Sequence, residues 1–277
     1  MENNVRTVYG TYIQTCQFLK EPVTLKPNST LNQKWNIFEN ELFSLQEFPN
    51  LEYMVIGNKG HTTELGTDNI PLVTSVPHSP RHASLYRHLP FVIRELNNDL
   101  NAAERAQYRL RTTDVFGGVE YAVYYAKVID KTNSSPVMEL RNITNGVITT
   151  TAFSPSLSDL NPTQPTVPPG GNFTATGDYL ASTAKLIISL DANDITEIMN
   201  ASNIIYGDPR YAFISEVGVC TGVDRVLNTT INGAPADYTE GVGVQVSDFI
   251  STAIPLYAMN DSATHTVDVG AVEPLFF

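Results

Sequence analysis

The sequence is poor in cysteine and in charged side chains. Its two cysteines, Cys16 and Cys220, lie far apart in 277 residues, which argues against a disulfide-dense secreted domain. Charged residues make up 17% of the chain, below the typical fraction of about 25%. Asparagine and threonine supply polarity instead, and they favour caps, turns and strands over long solvated helices. Coiled coils and helical arrays are therefore disfavoured.

Basic residues are also scarce. The chain has 17 Lys and Arg against 29 Asp and Glu, a formal net charge of −12, and neutralising phosphates takes clustered basic side chains. We therefore expect no nucleic-acid partner. No apolar run reaches the length of about 18 residues that a membrane span needs, so no membrane span is expected. Residues Met1–Arg6 lack a basic-then-apolar pattern, so we predict no signal peptide and synthesis in a cytoplasm.

Local patterns predict an α+β fold with mixed, mainly antiparallel sheets, a few short helices and long loops. A length of 277 residues corresponds to about two domains. Asn145-Gly146 is typical of a two-residue hairpin turn, Asp191 is a helix N-cap, and Asn101 with Glu104 resembles a capping box. The predicted elements are an extended segment at 5–18, strands at 121–129, 137–141, 147–152, 180–190, 210–220 and 242–254, and helices at 101–111 and 191–205.

A further helix is predicted near residues 30–46. Asn28-Ser-Thr supplies N-cap chemistry, and apolar residues then recur at spacings of 4, 3, 4 and 3, which marks one face of a helix. One interpretation is that the stripe packs on its own domain. The alternative is that it docks on a neighbouring subunit, and this alternative rests on the presence of the only tryptophan, a residue type enriched at interface hot spots. The stripe consists of Leu31, Trp35, Phe38, Leu42 and Leu45, of which Trp35, Phe38 and Leu42 are candidate interface residues.

Residues 154–171 contain five prolines followed by Gly170-Gly171. Proline removes backbone donors and disfavours helices and central strands, so the segment is predicted to be a linker or an extended arm onto a neighbouring chain. The alternative is a loop that lies over its own domain. The predicted division is an N-terminal α+β domain at 1–153, the arm or linker at 154–171, and a C-terminal α+β domain at 172–277. The candidate interface residues of the arm are Pro162, Pro165, Pro168 and Pro169.

Motifs that carry chemistry are missing or incomplete. Residues 57–63 are glycine-rich, but Lys59 precedes Gly60, so the order of a phosphate-binding loop is absent. His78, His82 and His88 lie close together, yet Pro80 separates the first two and keeps them off one helical face. We interpret these histidines as structural, with a metal site as the alternative. No catalytic, cofactor-binding or metal-ligating residue is predicted, and no cofactor.

Three stretches resemble proteins of tailed phages. Residues 99–111 and 118–127 resemble baseplate or tail components of contractile phages, and Tyr211–Cys220 is similar to an Ile-x-Glu-Ile/Val-Gly-Leu pattern of phage tail and baseplate domains, with Val219 in place of the leucine. The resemblance implies a non-enzymatic subunit located in the virion. Its expected partners are tail tube, baseplate or neck subunits, with several copies in a symmetric assembly. A neck, head-tail connector or capsid-associated protein and a tail-borne hydrolase are the alternatives.

Overall fold

The computed structural model describes residues 3–69, 71–167, 170–171, 175–231, 234–259 and 262–276. Strands dominate these residues, and the described pairings are antiparallel, as the sequence predicted. The strands are β1 Asn3–Arg6, β2 Asn50–Gly57, β3 His61–Leu65, β4 Pro71–Ser75, β5 His88–Leu89, β6 Val92–Glu95, β7 Tyr108–Phe116, β8 Val119–Val128, β9 Pro136–Thr144, β10 Val147–Ala152, β11 Ala175–Leu190, β12 Phe213–Ile231, β13 Ala234–Pro255 and β14 Ala263–Phe276.

Helices are few and mostly short, so the fold is mainly β within the broad α+β class. The helices are α1 Val8–Leu19, α2 Leu31–Trp35, α3 Ala102–Arg105, α4 Leu157–Leu160 and α5 Ala192–Tyr206, with 3-10 turns at Leu96–Asn98, Pro209–Tyr211 and Leu256–Ala258. No helix among the described residues is both long and apolar enough to cross a membrane.

The strands form three sheets. An eight-stranded sheet has the order β1-β13-β12-β2-β8-β6, with β5 added to β2 and β7 added to β8. A four-stranded sheet has the order β10-β9-β11-β14, and β3 pairs with β4 alone. At the centre of the large sheet, residues 214–222 of β12 and 240–252 of β13 are continuously buried, which indicates that both faces of these strands are covered.

Contacts divide the chain into two compact units, and the division differs from the predicted one. Unit one comprises Met1–Ile129 and Leu190–Ala263, and unit two comprises Asp130–Ser189 and Thr264–Phe277. The Pro-rich segment lies inside unit two, because β9 pairs with β11 across it, with Arg141 opposite Tyr179. Composition identifies a segment that cannot join a sheet, but it does not reveal which strands pair across that segment.

Local chemistry correctly predicted several elements. Asp191 caps α5, its side chain accepting from the Asp194 N–H, and Gly207 ends the helix with φ of 72°. The β9–β10 hairpin closes at Asn145 and Gly146, whose φ values are 53° and 76°. Positive φ at both central residues is the requirement of a type I′ turn, so the prediction of this hairpin is confirmed.

Residues 5–18 are not one extended segment. β1 ends at Arg6, and α1 begins after Thr7, whose side chain accepts from the Gly10 N–H at 3.1 Å. Gly10, Ile13 and Cys16 form the buried face of α1. A Cβ at position 10 would lie only 2.3 Å from the Ser247 Oγ, so glycine permits close packing of α1 on β13. This packing overrides the strand propensity of Val, Tyr and Thr.

Helix α3 has the predicted capping box, in which the Asn101 side chain accepts from the Ala103 and Glu104 N–H groups. It ends at Arg105 instead of continuing to Arg111. Residues 108–116 pair with β8 through a turn at Gly117 and Gly118, whose φ values of 58° and 84° suit glycine. Because this tight turn allows residues 108–116 to pair with β8, the C-terminal part of the predicted helix is a strand.

The predicted helix at 30–46 is only five residues long. Thr30 forms the expected N-terminal cap with Gln33, but Asn36 adopts the left-handed conformation with φ of 54°. Asn32 secures this end, because its Nδ2 donates to the Ile37 and Gly241 carbonyls at 2.9 and 2.8 Å. Its Oδ1 accepts from the Val244 N–H at 2.7 Å. Hydrogen bonds to β13 thus favour an early helix end over a longer apolar stripe.

Candidate interaction surface

Trp35 is partly buried and packs inside unit one. Its indole ring stacks on Tyr125 at 4.2 Å between centroids with an interplanar angle of 8°. It also meets the His88 ring edge-on at 4.8 Å. Trp35 packs against the same buried cluster as Leu31 and Tyr53. The observed contacts of Trp35 are thus with its own unit, and docking of its exposed part on a neighbouring subunit stays a prediction.

The remainder of the stripe lies at the surface, because the backbone after Asn36 is not helical. Phe38 is 39% exposed, whereas Leu42 and Leu45 are 71% and 77% exposed. Phe18 and Leu19, at the end of α1, are 80% and 67% exposed. We define the apolar surface as Phe18, Leu19, Leu42 and Leu45. Sequence analysis identified Leu42 as a candidate interface residue but did not identify Phe18 and Leu19. Placing these two residues on a helix requires that Thr7 is recognised as the N-cap of α1.

Contacts between α1 and residues 43–49 bring these side chains into one neighbourhood. Phe43 and Phe48 pack against the buried Ile13 and Cys16 of α1. The Gln17 Nε2 donates to the Pro49 carbonyl at 3.0 Å. Leu42 and Leu45 therefore belong to the same region of unit one as the exposed end of α1.

Ion pairing holds the segment that carries Leu42 and Leu45. The Arg225 Nη2 lies 2.7 Å from the Glu47 Oε2, and its Nη1 lies 3.5 Å from the Glu41 Oε2. The Ser44 N–H donates to the Glu47 carboxylate at 2.7 Å. This hydrogen bond, together with the Arg225 charge, lowers the pKa of Glu47. The leucines are thus presented on a chain segment fixed at several points.

The Pro-rich segment also presents apolar side chains. Every residue from 154 to 167 is exposed. The segment contains the single helical turn α4, whose Ser156 and Asp159 form a capping box, although no helix was predicted here. Leu157 and Leu160 are 76% and 77% exposed. Of the predicted contacts, Pro162 and Pro165 are exposed, and Pro168 and Pro169 lie outside the described residues.

The clustered histidines make hydrogen bonds inside unit one. The His78 Nε2 lies 2.7 Å from the Glu216 Oε2, and its Nδ1 lies 3.1 Å from the His82 Nδ1. The His88 Nε2 faces the Ser84 hydroxyl at 2.8 Å and accepts from the Leu85 N–H at 3.2 Å. Over the ranges that the structure describes, no three His, Cys, Asp or Glu side chains form a group able to hold a metal ion. The interpretation of these histidines as structural is consistent with these contacts.

Glu216 is the central polar residue of this region, and sequence reasoning assigned it no role. Its carboxylate is 1% exposed. It accepts from the backbone N–H groups of Tyr86, Arg87 and Lys59 at 2.9, 3.1 and 3.2 Å. With His78 as a fourth neighbour, Glu216 holds the segments around residues 59 and 78–87 on β12. The sequence signal for this role is a glutamate inside the apolar run Ile214–Cys220. A carboxylate in a buried strand requires hydrogen-bond donors from other segments of the chain.

His88 is predicted to make the stability of the protein depend on pH. Burial, assisted by the charge of Lys34, holds the pKa of His88 well below the ordinary value of 6.5. Above pH 6.5 the imidazole is neutral in the folded and unfolded chains alike. Below it, the unfolded chain binds a proton that the folded chain does not, so the free energy of unfolding falls by up to about 1.4 kcal/mol per pH unit.

We expect His88→Gln to remove this slope between pH 6.5 and 5. The amide oxygen of glutamine is able to accept from the Leu85 N–H, and the side chain does not titrate. Glu240 and Asp248, whose pKa values burial raises, are present in both proteins, so the difference between them isolates His88. Urea unfolding measured across this range provides the check. Parallel stability curves for the two proteins would contradict the assignment.

No curated protein and no solved structure matches the chain. A family model matches residues 1–277, the whole of the sequence, and the family is described as one of unknown function. The chain therefore belongs to the family DUF7208.

Proposed function

We propose that the protein is a non-enzymatic structural subunit of a tailed-phage virion, specifically a tail baseplate (wedge) component that holds neighbouring subunits. The observation that carries the proposal is the apolar surface, whose four side chains are each about two thirds exposed or more. Scattered exposed leucines are ordinary, but neighbouring large apolar side chains mark interaction sites. Because contacts to α1 and Arg225 fix the segment, little ordering is required when a partner binds.

The exposed Pro-rich segment supports the same proposal. Residues 154–167 extend from unit two without burial, and Pro162 and Pro165 restrict their own φ angles. An extended, stiff segment loses less entropy on docking than a flexible tether. The segment and the apolar surface together offer two places at which neighbouring subunits bind, as a subunit of a larger assembly requires.

The resemblance to phage baseplate and tail components supplies the kind of assembly. The quoted stretches fall on α3 and β7, on β8, and on β12, where Glu216 occupies the glutamate position of the pattern Ile-x-Glu. Glu216 is buried and holds two chain segments on β12. Glu216, the glutamate of the resembling pattern, therefore has a structural role in the fold, which supports a structural role for the subunit.

The test is to locate the chain in purified particles of the virus that encodes it. Particles are disrupted into heads, necks and tails, and each fraction is examined by mass spectrometry. We expect the chain in the tail and baseplate fraction at a fixed ratio to its neighbours. A variant with Leu42→Asp and Leu45→Asp should keep its stability to within about 1 kcal/mol and should be lost from the particles, whereas Glu120→Lys, an exposed change on β8, should not.

Other outcomes select among the alternatives. Recovery with the heads or necks favours a capsid-associated or connector protein over a baseplate subunit. Turnover of peptidoglycan or polysaccharide that one His or Glu replacement abolishes favours a tail-borne hydrolase. Absence of the chain from all particle fractions contradicts a virion role.

A further inference from the structure

A cavity of about 760 Å³ opens in unit one at the start of β12. This volume lies within the range of about 300–1,000 Å³ that ligand sites commonly have. Its charged lining residues are Lys59, Arg87, Asp208 and Arg210. Aromatic rings from Tyr211, Phe213 and Tyr257 form an apolar part of its wall. The cavity therefore offers a charged and an apolar region side by side.

The charged lining residues of the cavity carry a net positive charge. Asp208 forms an ion pair with Arg210, whose Nε and Nη2 donate to the Asp208 carboxylate at 2.6–3.0 Å. Neither Lys59 nor Arg87 makes an ion pair with a carboxylate in the described part of the chain. Two positive charges thus remain uncompensated on a chain with a net charge of −12. A partner that brings a carboxylate next to an apolar side chain complements this lining.

Arg87 is held in position for such a partner. Its Nε donates to the Asn58 Oδ1 at 2.6 Å. Its guanidinium lies 5.1 Å from the centroid of the Tyr206 ring and 5.8 Å from that of Tyr211. Cation–π contacts and the hydrogen bond restrict the guanidinium, so its charge is in place before a ligand binds.

We propose that the cavity receives residues 36–46 of a second copy of this chain. The inference rests on the proposed function and names a partner for part of the apolar surface. In this segment Glu39 is exposed and makes no ion pair with the described residues, and Leu42 is 71% exposed. Glu39 approaches Lys59 and Arg87 of the receiving copy, and Leu42 enters against the aromatic wall.

The contact forms between copies and not within one chain. The cavity includes Phe213, at the beginning of β12, whereas residues 41–47 are bound to Arg225, twelve residues further along that strand. A strand rises about 3.3 Å per residue, so the two sites are separated by up to about 40 Å. Residues 36–46 and the cavity are different surfaces of the chain, so the contact is head-to-tail. Repetition of a head-to-tail contact generates a closed ring when the rotations between successive copies add up to a full turn.

Charge reversal tests the contact in the full-length protein. Lys59→Glu and Glu39→Lys each place like charges together, and we expect each variant to self-associate roughly tenfold or more weakly than the wild type. An equimolar mixture of the two variants recreates opposite charges at both kinds of contact, so its association should return toward that of the wild type. Sedimentation velocity over a concentration series measures this, with Glu120→Lys as the matched control. Both target side chains are exposed, and circular dichroism melts verify the fold.

Three results would overturn the inference: a wild-type protein that remains monomeric at all concentrations, single variants that associate like the wild type, or a mixture no better than its components. The proposed function fails separately, through absence of the chain from purified particles. A chain that is present in particles but is unaffected by either charge reversal retains the virion role and loses the contact between copies.

Discussion

Glu216→Ala is expected to lower the free energy of unfolding by at least about 3 kcal/mol, since removal of one partner of a buried ion or hydrogen-bond set typically costs 3–5 kcal/mol. The carboxylate serves Tyr86, Arg87 and Lys59 through their backbone N–H groups and also contacts His78. Truncation leaves these donors without the acceptor that the carboxylate supplies. Native proteins have a stability of only about 5–15 kcal/mol, so this loss is a large fraction of the total.

Urea unfolding followed by circular dichroism measures the effect. Glu216→Gln should lie between the wild type and Glu216→Ala, because the amide keeps one acceptor oxygen and turns an NH₂ group toward backbone donors. Glu39→Ala is the matched control, since Glu39 is exposed, and it should change the stability by no more than about 0.5 kcal/mol. A loss below about 1 kcal/mol for Glu216→Ala would show that the carboxylate does not hold these segments.

Trp35→Ala is expected to cost about 3 kcal/mol, the lower end of the range for a truncated buried tryptophan, because Trp35 is partly buried. The change removes the stack on Tyr125 and the edge contact with His88. It also leaves a cavity beside the buried cluster that contains Leu31 and Tyr53.

Leu42→Ala is the comparison that separates core from surface. Leu42 belongs to the same apolar stripe but is 71% exposed, so its truncation should change the free energy of unfolding by no more than about 0.5 kcal/mol. Chemical denaturation of both variants provides the measurement. If Trp35→Ala kept the wild-type stability and abolished only assembly, Trp35 would be an interface anchor after all.

Trp35→Ala and Leu42→Ala also separate two requirements of the proposed function, which are a stable subunit and its association with neighbours. The stability of the subunit depends on polar and aromatic contacts inside unit one, around Glu216 and Trp35. In the proposed function, association depends on exposed side chains such as Leu42 and Leu157. We expect substitutions of the first kind to reduce the amount of folded subunit, and substitutions of the second kind to leave a folded subunit that does not assemble.

Features with a local cause were predictable from the sequence alone. Asp191 and Asp194 at the start of α5, Asn101 and Glu104 at the start of α3, and the turn at Asn145-Gly146 all depend on side chains within a few residues of the backbone that they organise. The strand at 121–129 follows from β-branched and aromatic residues. The buried character of Cys220 follows from its apolar neighbours, and in the structure it is fully buried, which raises the pKa of its thiol.

Tertiary structure alone decided where each predicted element ends and which side chains reach the surface. Asn32 ends α2 through hydrogen bonds to β13, more than two hundred residues away, and this exposes Leu42 and Leu45 although their spacing fits a helix. Glu216 finds its backbone donors between 129 and 157 residues away, at distances that no local pattern records. The division into units follows from the pairing of β9 with β11 across the Pro-rich segment. Capping and turn energies act over one turn of chain, whereas burial and strand pairing depend on segments that only the folded protein brings together.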